Sequence, residues 1–161
     1  MTPHQSMIER GAWYVVMQVI LLGMLFFGPT GPLLLPRGVE GFANILKIFG
    51  QGFFFIGLVI ALIAAIQLGK NLTPLPCPKA DSQFVGRGLY KLVRHPIYFG
   101  VILIGFGWWL INLGGLTLIY FVALIFFFDI KSRKEEVWLV KAFPEYAEYQ
   151  QRVRKLIPLI Y

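Results

Sequence analysis

Apolar runs set the first constraint on this 161-residue chain. Ala12 to Phe27, Phe42 to Leu68, Pro96 to Ile111 and Leu116 to Phe128 are each almost free of charge. With no water to satisfy exposed peptide groups, such runs cross a bilayer as helices. Hydrophobic residues make up 57% of the chain and charged residues 14%, which leaves a soluble fold too little polar surface to cover itself. The sequence predicts an all-α, polytopic integral membrane protein. It should have about four transmembrane helices and an amphipathic C-terminal helix over Glu145 to Lys155. We read residues 1–161 as one membrane domain, with two spans in 1–68 and a catalytic half in 69–161.

The first run follows Glu9 and Arg10 and is too long for the apolar core of a signal peptide, so a cleavable leader is not expected. Gly28-Pro29-Thr30-Gly31-Pro32 should end the first span, and Leu33 to Gly41 should lie in the interface or against the bundle. Gly57, Ala61 and Ala65 form a small-residue stripe on the second span, inviting close approach by another helix. The third span is about 24 Å long at the helical rise. Asn112-Leu113-Gly114-Gly115 predicts a tight hairpin that sets the third and fourth spans antiparallel.

Charge placement orients the chain. Arg37 and Lys47 belong to the first connector side, and the second hairpin has no Lys or Arg. The remaining basic residues lie in the N-terminus, the Gly69–His95 loop and the C-terminal tail. The positive-inside rule puts both termini and that loop in the cytoplasm. The net charge of +7 therefore points to anionic lipid rather than nucleic acid. A single cysteine, Cys77, allows no internal disulfide, and with only His4 and His95 the chain holds no conventional metal cluster.

One stretch concentrates the chemistry: Gly88-Leu89-Tyr90-Lys91-Leu92-Val93-Arg94-His95-Pro96-Ile97-Tyr98-Phe99-Gly100. Pro96 suits the first turn of a helix and pushes His95 out of the α region. The helix N-terminus and Arg94 both favour an anionic group, unless Arg94 and His95 simply snorkel to headgroups. The hairpin should bring Lys131, Arg133, Lys134, Glu135 and Glu136 beside this stretch. A cation, a carboxylate, an imidazole and aromatic rings together would suit a zwitterionic, partly aromatic ligand. Gly86-Arg87-Gly88 lacks a third glycine and a preceding strand, so no dinucleotide fingerprint is present.

Gly88-x-Tyr90-x-x-x-Arg94-His95-Pro96-x-Tyr98-x-Gly100, then Arg133-x-Glu135-Glu136 and Phe143-x-x-Tyr146-x-x-Tyr149, resembles the isoprenylcysteine carboxyl methyltransferase family. That family is similar to the phospholipid N-methyltransferases and more distantly to membrane sterol reductases. The resemblance spans roughly residues 69 to 158. It implies a membrane-embedded, S-adenosylmethionine-dependent methyltransferase acting on a lipophilic small-molecule or lipidated acceptor. By position it implies cofactor contacts at Ser82, Gln83, Phe84, Val85, Tyr90, His95, Pro96, Ile97, Tyr98 and Glu135. It implies that a basic residue about one turn before the glutamate approaches the substrate, either Lys131 or Arg133, of which helical spacing favours Lys131; with these, Arg94 and Glu136 are the candidate catalytic residues. Glu135 and Glu136 stay open as alternatives for the cofactor, because the spacing to Phe143 differs by about one residue from the eukaryotic pattern. The chain also departs in its four expected spans and in lacking a histidine within Ser82–Val85. A phospholipid or small-thiol acceptor, a nicotinamide-dependent membrane reductase and a non-enzymatic four-span protein are the other readings.

Overall fold

A computed structural model describes residues 11–32 and 40–161. The expectations for Met1 to Arg10 and for the connector at 33–39 fall outside the described residues. Five α-helices follow in order: α1 (Ala12–Phe27), α2 (Glu40–Leu68), α3 (Pro96–Asn112), α4 (Gly115–Ala142) and α5 (Tyr146–Arg152). Single 3-10 turns occupy Gly69–Asn71 and Gly88–Lys91. Among the described residues there is no strand, only an isolated parallel bridge between Val93 and Arg154.

Two apolar stretches, Gly41–Asn71 and Gly115–Ala142, are long enough to cross a membrane by length and composition. The apolar helices α1 and α3 are shorter, with 16 and 17 residues. Large apolar side chains stand exposed along α2, among them Ile45, Ile48, Phe49, Phe55 and Ile66. Such a surface suits hydrocarbon as solvent.

Helices α2 and α3 meet through paired glycines. A methyl group added at Gly57 would come within 2.5 Å of the Gly100 carbonyl oxygen, and one at Gly100 within 2.7 Å of the Gly57 oxygen. Gly50 and Gly107 repeat the arrangement seven residues away on each helix. Because hydrocarbon gives no hydrophobic drive between helices, close backbone approach supplies the packing. The small-residue stripe is present at Gly57 and Ala61, which meet Gly100, and the fully buried Ala64 extends the Gly50–Gly57 face by a further seven residues.

Helix α4 packs against both α1 and α3. Tyr14, Leu25, Ile102, Phe121, Leu124, Phe127 and Phe128 form one buried cluster between these helices. Thr30 and Pro32 carbonyls accept the first N–H groups of α4, from Gly115, Leu116 and Thr117, so the α1 exit loop satisfies donors that the helix start leaves free. Leu113 turns the α3–α4 hairpin in the left-handed region, with φ of 53°.

Past the apolar part, α4 continues through the charged residues to Ala142, as its sequence suggests. Helix α5 is shorter than Glu145–Lys155. It ends at Arg152 because the next residues extend: the Arg154 and Lys155 carbonyls accept the backbone N–H groups of Arg94 (2.8 Å) and His95 (3.1 Å). Tyr146 and Tyr149 face inward, and Glu148 pairs with Arg152 on the exposed side. The C-terminal segment is thereby fastened to the stretch just before Pro96.

Candidate functional site

A cavity of about 370 Å³ opens where the 69–95 loop covers the ends of α1, α3 and α4. Its roof is held by local hydrogen bonds rather than by helix. The Asn71 side chain donates to the Gln83 carbonyl (3.1 Å) and accepts the Gln83 N–H (3.0 Å), closing the loop across twelve residues. Ser82 donates to the Lys79 carbonyl and Lys79 to the Lys70 carbonyl. The prolines at 74, 76 and 78 remove backbone freedom that this loop would otherwise lose on folding.

The 3-10 turn then carries the chain to α3. Gly88 sits at φ of 61°, and a Cβ there would strike the Gln67 side chain at 2.4 Å. That same amide accepts the Leu89 N–H at 2.9 Å, which fixes the turn on the end of α2. Tyr90 is buried against α2, donating to the Ala64 carbonyl (3.4 Å), and its own carbonyl accepts the Tyr149 hydroxyl. His95 caps α3 with Pro96 as the first helical residue, as the sequence predicts.

The two adjacent glutamates face different surroundings. Glu135 lines the cavity and accepts the Tyr98 hydroxyl at 2.6 Å, with His95 Nδ1 at 3.8 Å. Glu136 points the other way, 100° round the helix, into a buried polar knot. Arg94 Nε lies 2.7 Å from its Oε1, Arg94 Nη2 3.3 Å from Oε2, His95 Nε2 3.1 Å from Oε1 and Gln150 Nε2 3.0 Å from Oε2. Arg94 Nη1 donates to the Gln150 and Val153 carbonyls. This knot ties α3, α4 and the C-terminal segment together directly beneath the cavity.

Basic residues of α4 also separate. Lys131 is 1% exposed and lines the cavity, one helical turn before Glu135. Its Nζ donates to Gln18 Oε1 (2.6 Å) and to the Pro74 carbonyl (3.0 Å), and lies 5.3 Å from the centre of the Tyr98 ring. Arg133 stands outside with its side chain 67% exposed, paired to Asp129. Rings of His95, Tyr98 and Phe128 stack in sequence behind these groups, with centroids 5.3 Å and 4.7 Å apart.

Of the residues singled out in the sequence, Ser82, Gln83, Phe84, Val85, Tyr90, Arg94, His95, Ile97, Tyr98, Lys131 and Glu135 line the cavity. Pro96 is buried behind the wall and shapes it through the helix start. Glu136 and Arg133 do not reach the cavity, because successive residues on a helix point 100° apart. Arg94 borders the cavity, but its fork is taken up by Glu136 and two carbonyls rather than left for an external carboxylate. Sequence reasoning missed Gln18, Leu139, Tyr146 and Tyr149 as lining residues. The available signals were an amide within an apolar helix and the tyrosine spacing after Phe143. Among the described residues the buried Tyr146 hydroxyl has no hydrogen-bond partner, so the wall holds a free donor.

Electrostatics keep the phenols of the wall neutral. Burial pushes the Tyr90, Tyr146 and Tyr149 hydroxyls well above the ordinary phenol range, and nearby glutamates add to the shift: Glu135 at Tyr90, Glu136 at Tyr149, and both at Tyr146. These groups serve as hydrogen-bond donors and not as anions. The cavity thus offers a carboxylate, an imidazole and a buried cation within aromatic walls. A carboxylate takes an ammonium or a hydroxyl, a lysine takes an anion, and rings take a flat base or a cationic centre.

A family profile described as phospholipid methyltransferase matches residues 45–146. The protein-S-isoprenylcysteine O-methyltransferase of Schizosaccharomyces pombe is 32% identical over 122 residues, covering 73% of this chain and 51% of that protein. Its Saccharomyces cerevisiae counterpart is 36% identical over 126 residues with the same coverages, 73% and 51%. The chain therefore spans about half the length of these curated relatives. The solved structure of the eukaryotic intramembrane Ras methyltransferase, isoprenylcysteine carboxyl methyltransferase, superposes with a TM-score of 0.66 at 22% identity. That match covers 95% of this chain and 65% of the other. At that identity the likeness is one of fold.

Proposed function

The chain belongs to the phospholipid methyltransferase family, and on that premise we propose that it is a membrane-embedded methyltransferase using S-adenosylmethionine to methylate a lipophilic acid of the isoprenylcysteine type. The observation that carries the reading is the placing of Glu135 and Lys131 in one cavity, a helical turn apart, at the ends of lipid-facing helices.

The residues present suit the methyl donor. The cavity's volume of about 370 Å³ falls within the usual range for small-molecule sites and favours a compact ligand over a dinucleotide. Glu135, fixed by Tyr98, is placed to take an ammonium or ribose hydroxyl. Phe84, Tyr90 and Tyr149 supply ring surface for a base, and Tyr146 supplies the unpaired hydroxyl. When bound, S-adenosylmethionine would supply an electrophilic sulfonium methyl for an acceptor carboxylate, with Glu135 and Tyr98 holding its polar end.

This chain's residues then act by position. Lys131 holds an anionic acceptor, Glu135 and Tyr98 hold the donor's polar end, and the prolyl roof excludes water. A carboxylate nucleophile needs no general base, so catalysis rests on orientation and desolvation. In this reading Glu136 and Arg94 are structural supports and Arg133 has no part in the chemistry.

The same reading places four spans in the bilayer, the shorter α1 and α3 among them. It puts both termini and the cavity on the cytoplasmic side, with residues 69–161 as the catalytic half. The supporting observation is that the positive-inside pattern and the cavity fall on the same end of the bundle.

Calorimetric titration of the detergent-solubilised protein with S-adenosylmethionine and with NADPH tests the class of enzyme. Transfer of labelled methyl into a membrane extract tests the acceptor. Binding of NADPH in place of S-adenosylmethionine would return the chain to the reductase reading, and binding of neither to the non-enzymatic one.

A further inference from the structure

Gln18 is the one amide in α1, whose other residues are aliphatic, aromatic, glycine or methionine. An amide on a helix that faces hydrocarbon costs free energy unless it finds a partner. It lies on the same face as Tyr14 and Leu25, the two buried residues of α1, at helical spacings of four and seven. That face packs on α4, and there Gln18 Oε1 meets Lys131 Nζ at 2.6 Å. Residue 18 lies outside the family match, which begins at residue 45.

The donor count at Lys131 gives this contact a consequence. An ammonium has three N–H groups and no acceptor. Gln18 takes one and the Pro74 carbonyl takes a second. Lys131 is otherwise enclosed, and the space left to it is the cavity. Among the described residues, one N–H of the ammonium is therefore left for a ligand. Both partners are neutral, so they fix the ammonium without cancelling its charge. A carboxylate at position 18 would cancel it. An apolar residue would free the ammonium to swing towards Glu135.

We infer that Gln18 is a positioning residue that sets the acceptor class: it holds Lys131 so that the cavity selects a lipophilic acid over the corresponding ester or amine. The inference rests on the reading that a methyl acceptor enters this cavity. It makes α1 part of the specificity machinery. An amine acceptor carrying positive charge meets a fixed like charge and is disfavoured.

The test is direct binding of two probes, N-acetyl-S-farnesylcysteine and its methyl ester, to the full chain in detergent micelles. The wild-type protein should bind the acid at least about tenfold more tightly than the ester, as one charge-assisted contact provides. In Gln18→Leu the acid should weaken by about tenfold with ester binding unchanged, so the ratio falls towards unity. Gln18→Glu keeps an oxygen acceptor and the helix packing, and should lose acid preference through charge cancellation. Gln18→Asn, which keeps a neutral acceptor on a shorter arm, should recover part of the preference. A loss confined to the acid separates positioning from general damage to the fold. If Gln18→Leu does not fold, Gln18→Glu decides. An acid-to-ester ratio equal to wild type in either folded variant overturns the inference, as does a wild-type protein without acid preference. Titration with S-adenosylmethionine in the same samples judges the methyltransferase reading separately, since probe binding needs no methyl donor.

Discussion

Substituting the two adjacent glutamates one at a time separates binding from folding. Glu136→Gln keeps the shape but removes the charge that Arg94 and His95 share. The amide oxygen can still accept from Arg94 Nε, now 2.7 Å from Oε1. The amide nitrogen then faces Arg94 Nη2 and Gln150 Nε2, both donors that meet Oε2 at 3.3 Å and 3.0 Å. Two hydrogen bonds become donor–donor contacts. The Arg94 charge, its side chain only 12% exposed, is left without a counter-ion. Breaking a buried pair in this way costs about 3–5 kcal/mol. Glu135→Gln differs, because Tyr98 can donate to the amide oxygen as it does to the carboxylate. The fold should hold, while one charge-assisted contact to the cofactor is lost, about 1.5–3 kcal/mol or roughly ten- to a hundredfold in affinity. Equilibrium unfolding in mixed micelles reads the first effect, and calorimetry with S-adenosylmethionine the second. The reasoning fails if Glu136→Gln unfolds like wild type while its cofactor affinity drops. It fails equally if Glu135→Gln binds cofactor normally.

Three further outcomes are expected. Gly100→Ala puts a methyl group 2.7 Å from the Gly57 carbonyl oxygen, so α2 and α3 must separate, at a cost of about 1–3 kcal/mol in the same unfolding assay; wild-type stability would deny the close approach. The buried phenols of Tyr90, Tyr146 and Tyr149 have raised pKa values, so their contribution to stability is full below the unfolded phenol value of about 10 and declines as pH rises above it; triple replacement by Phe should flatten an unfolding-versus-pH curve between about pH 10 and 12. Reporter fusions after Lys70 and after Tyr161 should both read cytoplasmic, and one at Arg37 external; an external reading at Lys70 would sink the proposed orientation.

The sequence alone determined the helical class, the start of α3 and its hairpin with α4. Each depends on local rules: unbroken apolar runs demand helix in hydrocarbon, Pro96 starts α3, and the four-residue turn at Asn112–Gly115 folds α4 back beside it. Ser82 to Val85, Tyr90 and His95 to Tyr98 are singled out by the family resemblance rather than by these rules, and all but Pro96 line the cavity. Tertiary structure decided which way each polar group faces. Glu135 and Glu136 are alike in sequence, and only the rotation of α4 against α3 puts one in the cavity and the other against Arg94. Arg94 has the chemistry of a carboxylate clamp, yet the C-terminal segment and Glu136 use up its donors. Lys131 rather than Arg133 reaches the cavity, a choice that helical spacing to Glu135 already favours, since Lys131 is one turn away and Arg133 about 200° round. Gln18 shows the limit most clearly. Its partner lies 113 residues away, and no local pattern joins them. Contacts between distant segments depend on how helices turn about their axes, a property that one chain's periodicity leaves free and packing fixes.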